Sequence, residues 1–424
     1  MSRLPTPSAP GEWARKARAL DRLRWQLLRE RHGPLGSALR LARDSLLDLV
    51  SGLRARASLQ RSSQAQACDV LLLHSAPKSM ALQRKNILIQ ALRQQGLGVI
   101  EAALRNPSDA CRERQLLAPP QSVPTRYLAY AAHAQWLVTS YGPKVLINER
   151  NGSLHAPFLR LALAERGACL LHLAHAATLE SSRRLAMNDY DYYGLFGRSS
   201  LAALQARPLR FGSSCAVLVG SYLADSSYDM PIADPGLGTL LVLGVGPDRE
   251  KEAGYQQTYE VLAQWAEQHP RYRVLFKRHP RSRAAFWLQA AARLDNVQLL
   301  DSACTLAQAL GQSSIVVNIM SNAGIEAGLA GRPVIHVNAG DDLDLFSHGQ
   351  FFGAQVRQVQ ALSTQVSAVE ADYAAHVAQA RAFAEFHLVQ GAQGLVRTVE
   401  LVSLLVADKN PAQAFETVTL PAVG

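Results

Sequence analysis

Short apolar runs of four or five residues alternate with helical stretches along most of this chain, and the alternation occurs twice. In the first series Val70-Leu71-Leu72-Leu73 precedes a helical stretch over 86–95 closed by Gly96, and 97–100 is the next apolar run. Trp136-Leu137-Val138-Thr139 and Val145-Leu146-Ile147 continue the series, 158–166 reads as a helix stopped by Gly167, and 169–173 as a strand. Runs this short and this uniformly apolar suit strands buried on both faces, which occur in parallel sheets covered by their own crossover helices. The second series begins near 238, with strands at 239–243, 272–276, 297–300, 314–318 and 333–337 and helices at 256–268, 284–293, 306–310 and 324–330. A long helical tail is expected over about 362–406.

The expected fold class is therefore α/β, with two doubly wound Rossmann-like domains. A length of 424 residues exceeds what one hydrophobic core usually serves. The boundary falls near 220–238, where Gly220, Pro231, Pro235, Gly236 and Gly238 cluster. This gives a basic helical arm over 1–62, an N-terminal domain over 63–230 and a C-terminal domain with the helical tail over 231–424. Ligands of open parallel sheets sit at the carboxyl ends of the strands, so the site is expected in the cleft between two such domains.

Charge is unevenly spread. Residues 1–62 hold 13 Lys and Arg against five acids, so +8 of the net +10 lies there. Helices are expected over 12–31 and 36–59, the second carrying Leu39, Leu46, Leu49, Val50 and Leu53 among Arg40, Arg43, Arg54 and Arg56. Such an arm either lies on an anionic membrane surface or packs its leucines on the body or a second subunit. Nucleic acid is not an expected partner, because no aromatic platform interleaves the basic residues. No apolar signal region occurs in 1–20 and no window approaches the roughly 18 apolar residues of a membrane span, so a cytoplasmic location is expected. The five cysteines are scattered, without a C-x-x-C pair, and read as small buried apolar residues in a reducing compartment.

Two segments carry the chemistry. Ser321-Asn322-Ala323-Gly324-Ile325-Glu326 follows the strand 315–318, and a strand-to-helix turn of small polar residues is expected to leave backbone N–H groups free for a phosphate. Glu326 falls in the first turns of that helix, where its carboxylate can accept two hydroxyls of a ribose or sugar; the alternative is a plain Ser321 cap on a structural helix. The other segment is Lys277-Arg278-His279-Pro280-Arg281, a strand end whose cations suit the phosphates of a nucleotide and whose His279 can hydrogen-bond or protonate a phosphate oxygen. Gly244 and Gly246, after the first strand of the second series, let the backbone approach a phosphate, or form an ordinary turn. No G-K-[ST] follows, so this is not a Walker A loop. Asp341, Asp342 and Asp344 read as a solvated acidic loop rather than a metal site, and no metal or cofactor is expected.

Together, Lys277-Arg278-His279-Pro280 and the stretch from Ser321-Asn322 through Gly331-Arg332-Pro333-Val334-Ile335 resemble the C-terminal domain of GT-B transferases of bacterial surface-polysaccharide assembly. The similar groups are the CDP-glycerol glycerophosphotransferases, capsule Kdo-transferases and polysialyltransferases. Asn322 stands where those families prefer a hydroxyl residue. His175, in Leu173-Ala174-His175-Ala176, matches the histidine of their Gln-His-Gly-like turn, with alanines as its neighbours. The resemblance implies a metal-independent enzyme moving a glycosyl or glycerophosphoryl-type unit from a nucleotide-activated donor to a cell-surface glycan or lipid-linked acceptor. In it Lys277, Arg278, Gly244, Gly246, Ser321, Asn322, Gly324 and Glu326 hold the donor, and His175 and His279 are catalytic. Two other readings stay open. One is a nucleotide-sugar epimerase, for which Glu326 and Glu149 are the visible carboxylates; the other is a non-catalytic scaffold of a polysaccharide-assembly complex.

Overall fold

The computed structural model describes residues 9–83, 85–174, 176–177, 183–340 and 342–423. The chain divides into two compact units, Met1–Leu223 with Leu395–Gly424, and Ala224–Gly394.

The first unit opens with α1 (Glu12–Arg29) and α2 (Pro34–Ser58). Then come β1 (Val70–His74), α3 (Pro77–Ala81), α4 (Asn86–Gln94), β2 (Val99–Ala103), α5 (Pro107–Arg112) and α6 (Thr125–Tyr141). The unit continues through β3 (Val145–Asn148), α7 (Ala156–Ala164), β4 (Cys169–Leu173), β5 (Tyr192–Leu195), α8 (Arg198–Ala206) and β6 (Ser214–Leu218). The second unit holds β7 (Thr239–Leu243), α9 (Ala253–Gln268), β8 (Arg273–Lys277), α10 (Ala285–Arg293), β9 (Val297–Leu299) and α11 (Leu306–Gly311). After these come β10 (Ile315–Asn318), α12 (Ala323–Leu329), β11 (Val334–His336), α13 (His348–Phe352), α14 (Val359–Ala371) and α15 (Tyr373–His387). The chain ends with α16 (Gly394–Val406) and β12 (Thr417–Leu420).

Both sheets are doubly wound, as their sequence rhythm predicts. The order is β12-β6-β5-β4-β3-β1-β2 in the first and β11-β10-β7-β8-β9 in the second. Every pairing is parallel except that of β12 on β6. The strands of the second sheet face two layers. Leu240, Val242, Val274 and Phe276 pack with Trp265 and Trp287, whereas Leu241, Leu243, Leu275 and Val316 pack with Ala327, Ala330 and Ala380. In each sheet the winding reverses at one place, between β1 and β3 in the first and between β7 and β10 in the second. A crevice opens there at the carboxyl ends, because the flanking crossovers leave on opposite faces.

Three expectations change. Trp136 to Thr139 lies inside α6, a 17-residue helix. That helix buries residues around most of its circumference, so its sequence lacks the one-sided period that marks a helix. The helical tail is broken into three helices: Asp372 caps α15 by accepting the Ala375 N–H at 3.1 Å, and Gln390 turns the chain at φ +67°. Its last part, with β12, belongs to the first unit instead of closing the second. Residues 9–62, finally, are built into the first unit. Trp13, Ala17 and Leu20 are fully buried, and Lys16 meets the buried Asp189 at 2.5 Å.

Candidate functional site

In the second unit, the switch point is flanked by the loops after β7 and β10, with the end of β8 beside β7. These loops carry Gly244 and Gly246, Ser321 to Glu326, and Lys277 to His279 respectively. The topology thus brings together the segments singled out by sequence. Gly244 donates its N–H to the Lys277 carbonyl at 2.9 Å. A Cβ on Gly244 would stand 2.8 Å from the Phe276 ring and 3.2 Å from the Arg278 Cα, so only glycine lets the two loops close on each other.

Lys277, Arg278 and His279 are half-buried. Neither Lys277 nor Arg278 has an acidic partner among the described residues. His279 Nδ1 accepts the Arg281 backbone N–H at 3.2 Å, so the neutral ring carries its proton on Nε2. A cavity of about 720 Å³ opens between the loops after β7 and β8, lined by Pro247, Glu250, Lys251, Arg281 and Arg283 among others. A slightly larger one, about 770 Å³, lies by Lys144, Cys169, Tyr192 and Ser214. Those residues are at the amino-terminal ends of β3 to β6, the end of a parallel sheet where ligands are not held.

The turn into α12 is clamped from inside. Asn318 accepts the Ser321 N–H at 3.0 Å and donates to the Ser321 carbonyl at 3.1 Å. A Cβ on Gly324 would come within 2.3 Å of the Asn318 amide nitrogen, which explains the glycine. The first N–H groups of α12 are already occupied: Ala323 by Ser321 Oγ, Gly324 by the Ser321 carbonyl and Ile325 by the Asn322 carbonyl. The expected cradle of free amides is therefore corrected. Ser321, Asn322 and Gly324 shape the loop, and the cations at this end of the sheet are Lys277 and Arg278.

Glu326 is the exception to this internal satisfaction. Its Oε2 is out of solvent and has no hydrogen-bond partner among the described residues. Burial raises the carboxyl from 4.5 to about 7, opposed only by its own backbone N–H. A buried acceptor without a donor is costly, and a hydroxyl-bearing ligand would supply the donor. Arg332, from the same motif, is structural: it is buried and donates to the carbonyls of Leu310, Pro231 and Ala330 at 2.8–2.9 Å.

Behind this turn, Asn318 also donates to His348 Nε2 at 2.9 Å, and His348 Nδ1 donates to Asp344 at 2.7 Å. Asp344, expected as a solvated loop acid, is thus a buttress, held well below the usual carboxylate range by His348 and the Gly349 N–H, against the opposing effect of burial. His336, His348 and Asp344 cluster closely enough to suggest a metal site. The two rings stack at 4.2 Å and 18°, however, so their lone pairs run side by side instead of converging.

The first unit's switch point holds a cluster that sequence reading largely missed. His74 ends β1, Glu101 lies on β2, Glu149 follows β3, and Lys85 caps α4. Lys85 Nζ meets Glu149 at 2.5 Å and His74 Nδ1 at 3.1 Å, and His74 Nε2 meets Glu101 at 2.8 Å. His74 and Lys85 are buried. Burial lowers the pKa of both; Glu149 and Glu101 pull Lys85 back up, while Lys85 pushes His74 further down. The Asn148 side-chain N–H₂, at the end of β3, is buried without a partner among the described residues. Only Glu149 was visible as a candidate, because four distant segments supply the cluster and no local motif links them. His175, the candidate base, lies outside the described residues.

No family model matches the sequence, and no curated protein is similar to it in sequence. Its fold does resemble solved structures. The UDP-GlcNAc 2-epimerase from Neisseria meningitidis bound to UDP-GlcNAc matches at a TM-score of 0.50 and 9% identity, over 81% of this chain and 100% of that one. Another UDP-N-acetylglucosamine 2-epimerase matches at 0.51 and 10%, over 82% and 98%. The glycosyltransferase of kitacinnamycin matches at 0.50 and 15%, over 82% and 100%. At such identities the likeness establishes the fold: two Rossmann-like units of the GT-B class.

Proposed function

We propose that this chain is a nucleotide-sugar enzyme, in first place a glycosyltransferase acting on a cell-surface glycan or lipid-linked acceptor, with its donor site at the switch point of the second unit. One juxtaposition carries the reading: at the carboxyl ends of β8 and β10, on either side of β7, Lys277 and Arg278 have no acidic partner and Glu326 Oε2 is buried with no donor among the described residues. A nucleoside diphosphate sugar supplies what both lack, anionic phosphates for Lys277 and Arg278 and hydroxyls for Glu326. As the bond to the donor phosphate breaks, the two cations offset the charge that develops there, and the protonated Nε2 of His279 donates to a phosphate oxygen. Gly244 and Gly246 allow the backbone approach, while Ser321, Asn322 and Gly324 fix the loop. His175 is assigned as the base for the acceptor hydroxyl.

A second reading, epimerisation, gains from the first unit. An epimerase needs proton-handling groups, and Lys85 and His74 lie between the carboxylates of Glu101 and Glu149, more such groups than the sequence displayed. Because the Neisseria structure binds UDP-GlcNAc, uridine diphosphate sugars are the first donors to test. Isothermal titration with UDP, CDP, GDP and CMP species should give saturable binding to at least one; none binding would sink the donor site. Product analysis of the bound donor then separates the readings. A transferase leaves the sugar's stereochemistry intact until an acceptor is added, and an epimerase changes it without one.

A further inference from the structure

Helix α2 is packed inside out. The residues it buries are Ser37, Asp48, Gly52 and Ala55, all small or polar. Leu35, Leu39, Leu46, Leu47, Leu49, Val50 and Leu53 are exposed, by 40% to 75%. At about 100° per residue all of these but Leu47 fall within an arc of roughly 100°, opposite the buried side. An isolated exposed leucine is unremarkable, but a continuous stripe along one helix marks a surface that meets something.

This face is held rigidly. A Cβ on Gly52 would come within 1.7 Å of the Thr125 carbonyl oxygen, so α2 lies directly against the start of α6. Asp48 accepts from Arg24 at 2.6 Å and from Tyr130 at 2.9 Å. These contacts fix the rotation of α2 about its axis and keep the leucines outward.

Arginines border the stripe. Arg40, Arg43 and Arg54 lie on one side and Arg56 on the other, all exposed. Only Arg43 has an ion pair among the described residues, with Asp44. A second copy meeting this face by two-fold symmetry would set four arginines against four with one acid on each side, which opposes pairing. An apolar stripe flanked by cations fits an anionic lipid interface, with the leucines at the acyl boundary and the guanidiniums among the phosphates. No described helix is long and apolar enough to cross a membrane, so α2 would lie along the surface. We propose that the outward face of α2 docks the first unit onto anionic phospholipid bilayers. The proposal is independent of the donor site.

Co-sedimentation of the full chain with vesicles tests it. Phosphatidylcholine vesicles containing about a quarter phosphatidylglycerol should bind the protein at least tenfold more tightly than pure phosphatidylcholine vesicles at low salt. Binding should weaken in high salt, as the screening length falls from about 10 Å at 0.1 M to about 3 Å at 1 M. Leu46→Ser, Leu49→Ser and Leu53→Ser combined should lower the partition coefficient about 10- to 100-fold on either lipid. Arg40→Gln, Arg43→Gln, Arg54→Gln and Arg56→Gln combined should remove the preference for anionic lipid. All these positions are exposed, so the variants should keep the wild-type melting temperature, which verifies folding. The proposal is overturned if the wild type ignores anionic vesicles, if the folded leucine variant binds them equally well, or if lipid-free protein is a stable dimer that the same leucine changes dissociate.

Discussion

The two switch points occupy equivalent places in their sheets and are wired in opposite ways. In the first unit every charge has a partner within the cluster, Lys85 between Glu149 and His74 and His74 against Glu101. In the second, among the described residues, Lys277 and Arg278 lack acidic partners and Glu326 Oε2 lacks a donor. The charges of a closed cluster are satisfied by folding. An open one carries an electrostatic and hydrogen-bonding deficit that a ligand can fill, and the pattern of the deficit describes that ligand. On the reading proposed above, that deficit is where the donor binds.

The largest effect is expected from Lys277→Ala with Arg278→Ala. Each charge-assisted phosphate contact is worth about 1.5–3 kcal/mol, so nucleotide affinity should fall at least about 100-fold in titration calorimetry. Thermal stability should hold, because no acid is left stranded. If the double variant melts far lower and still binds nucleotide, the second site is no more open than the first.

Lys85→Met should do the reverse. It leaves Glu149 and His74 without their shared partner, and removing one member of a buried ion pair costs about 3 kcal/mol. Denaturant unfolding should show that loss while nucleotide affinity stays within a few-fold of wild type. Unchanged stability would mean that the first cluster is not closed in solution.

A smaller effect, about 1–3 kcal/mol, is expected for Gly324→Ala, whose methyl must displace the Asn318 amide. Nucleotide affinity should fall with it, and adding Asn318→Ala should restore part of the stability. If the double variant is less stable than either single one, the clamp has been misread.

Much of this was legible before the structure. The strand and helix rhythm gave the second sheet and four strands of the first, because buried parallel strands leave short apolar runs; β5, β6 and β12 escaped it, and the run Trp136 to Thr139 proved helical. That Lys277 to His279 and Ser321 to Glu326 would meet at one end of the second sheet was legible because each segment is contiguous and follows its own strand. What escaped was written across distance. The Lys85 cluster needs four segments that only the sheet order brings together. The return of β12 to β6 depends on a pairing more than 190 residues away in sequence. The amphipathic period of α2 was visible, but which face it buries was not; Gly52 and Asp48 decide that, and hydrophobicity alone would have chosen the leucines. Asp344 was misjudged because its partner His348 lies a turn later and inward, where an acidic loop reads as solvated.

The pH dependence of Glu326→Gln probes the open site most directly. Burial raises this carboxyl from 4.5 to about 7, so its ionised form is disfavoured in the ligand-free fold. The sign follows from linkage: the stability associated with the protonated group is intact below pH 4.5 and is lost as pH rises through about 7. Without ligand, the wild type should lose up to about 3 kcal/mol relative to Glu326→Gln between pH 4.5 and 8. With a nucleotide sugar that the wild type binds, the order should invert at pH 8, the variant binding at least about tenfold more weakly because an amide cannot accept both hydroxyls. A variant that gains stability and loses ligand is the predicted result. A variant that binds the nucleotide sugar as tightly as wild type, with the same stability at every pH, would contradict an open donor site at Glu326.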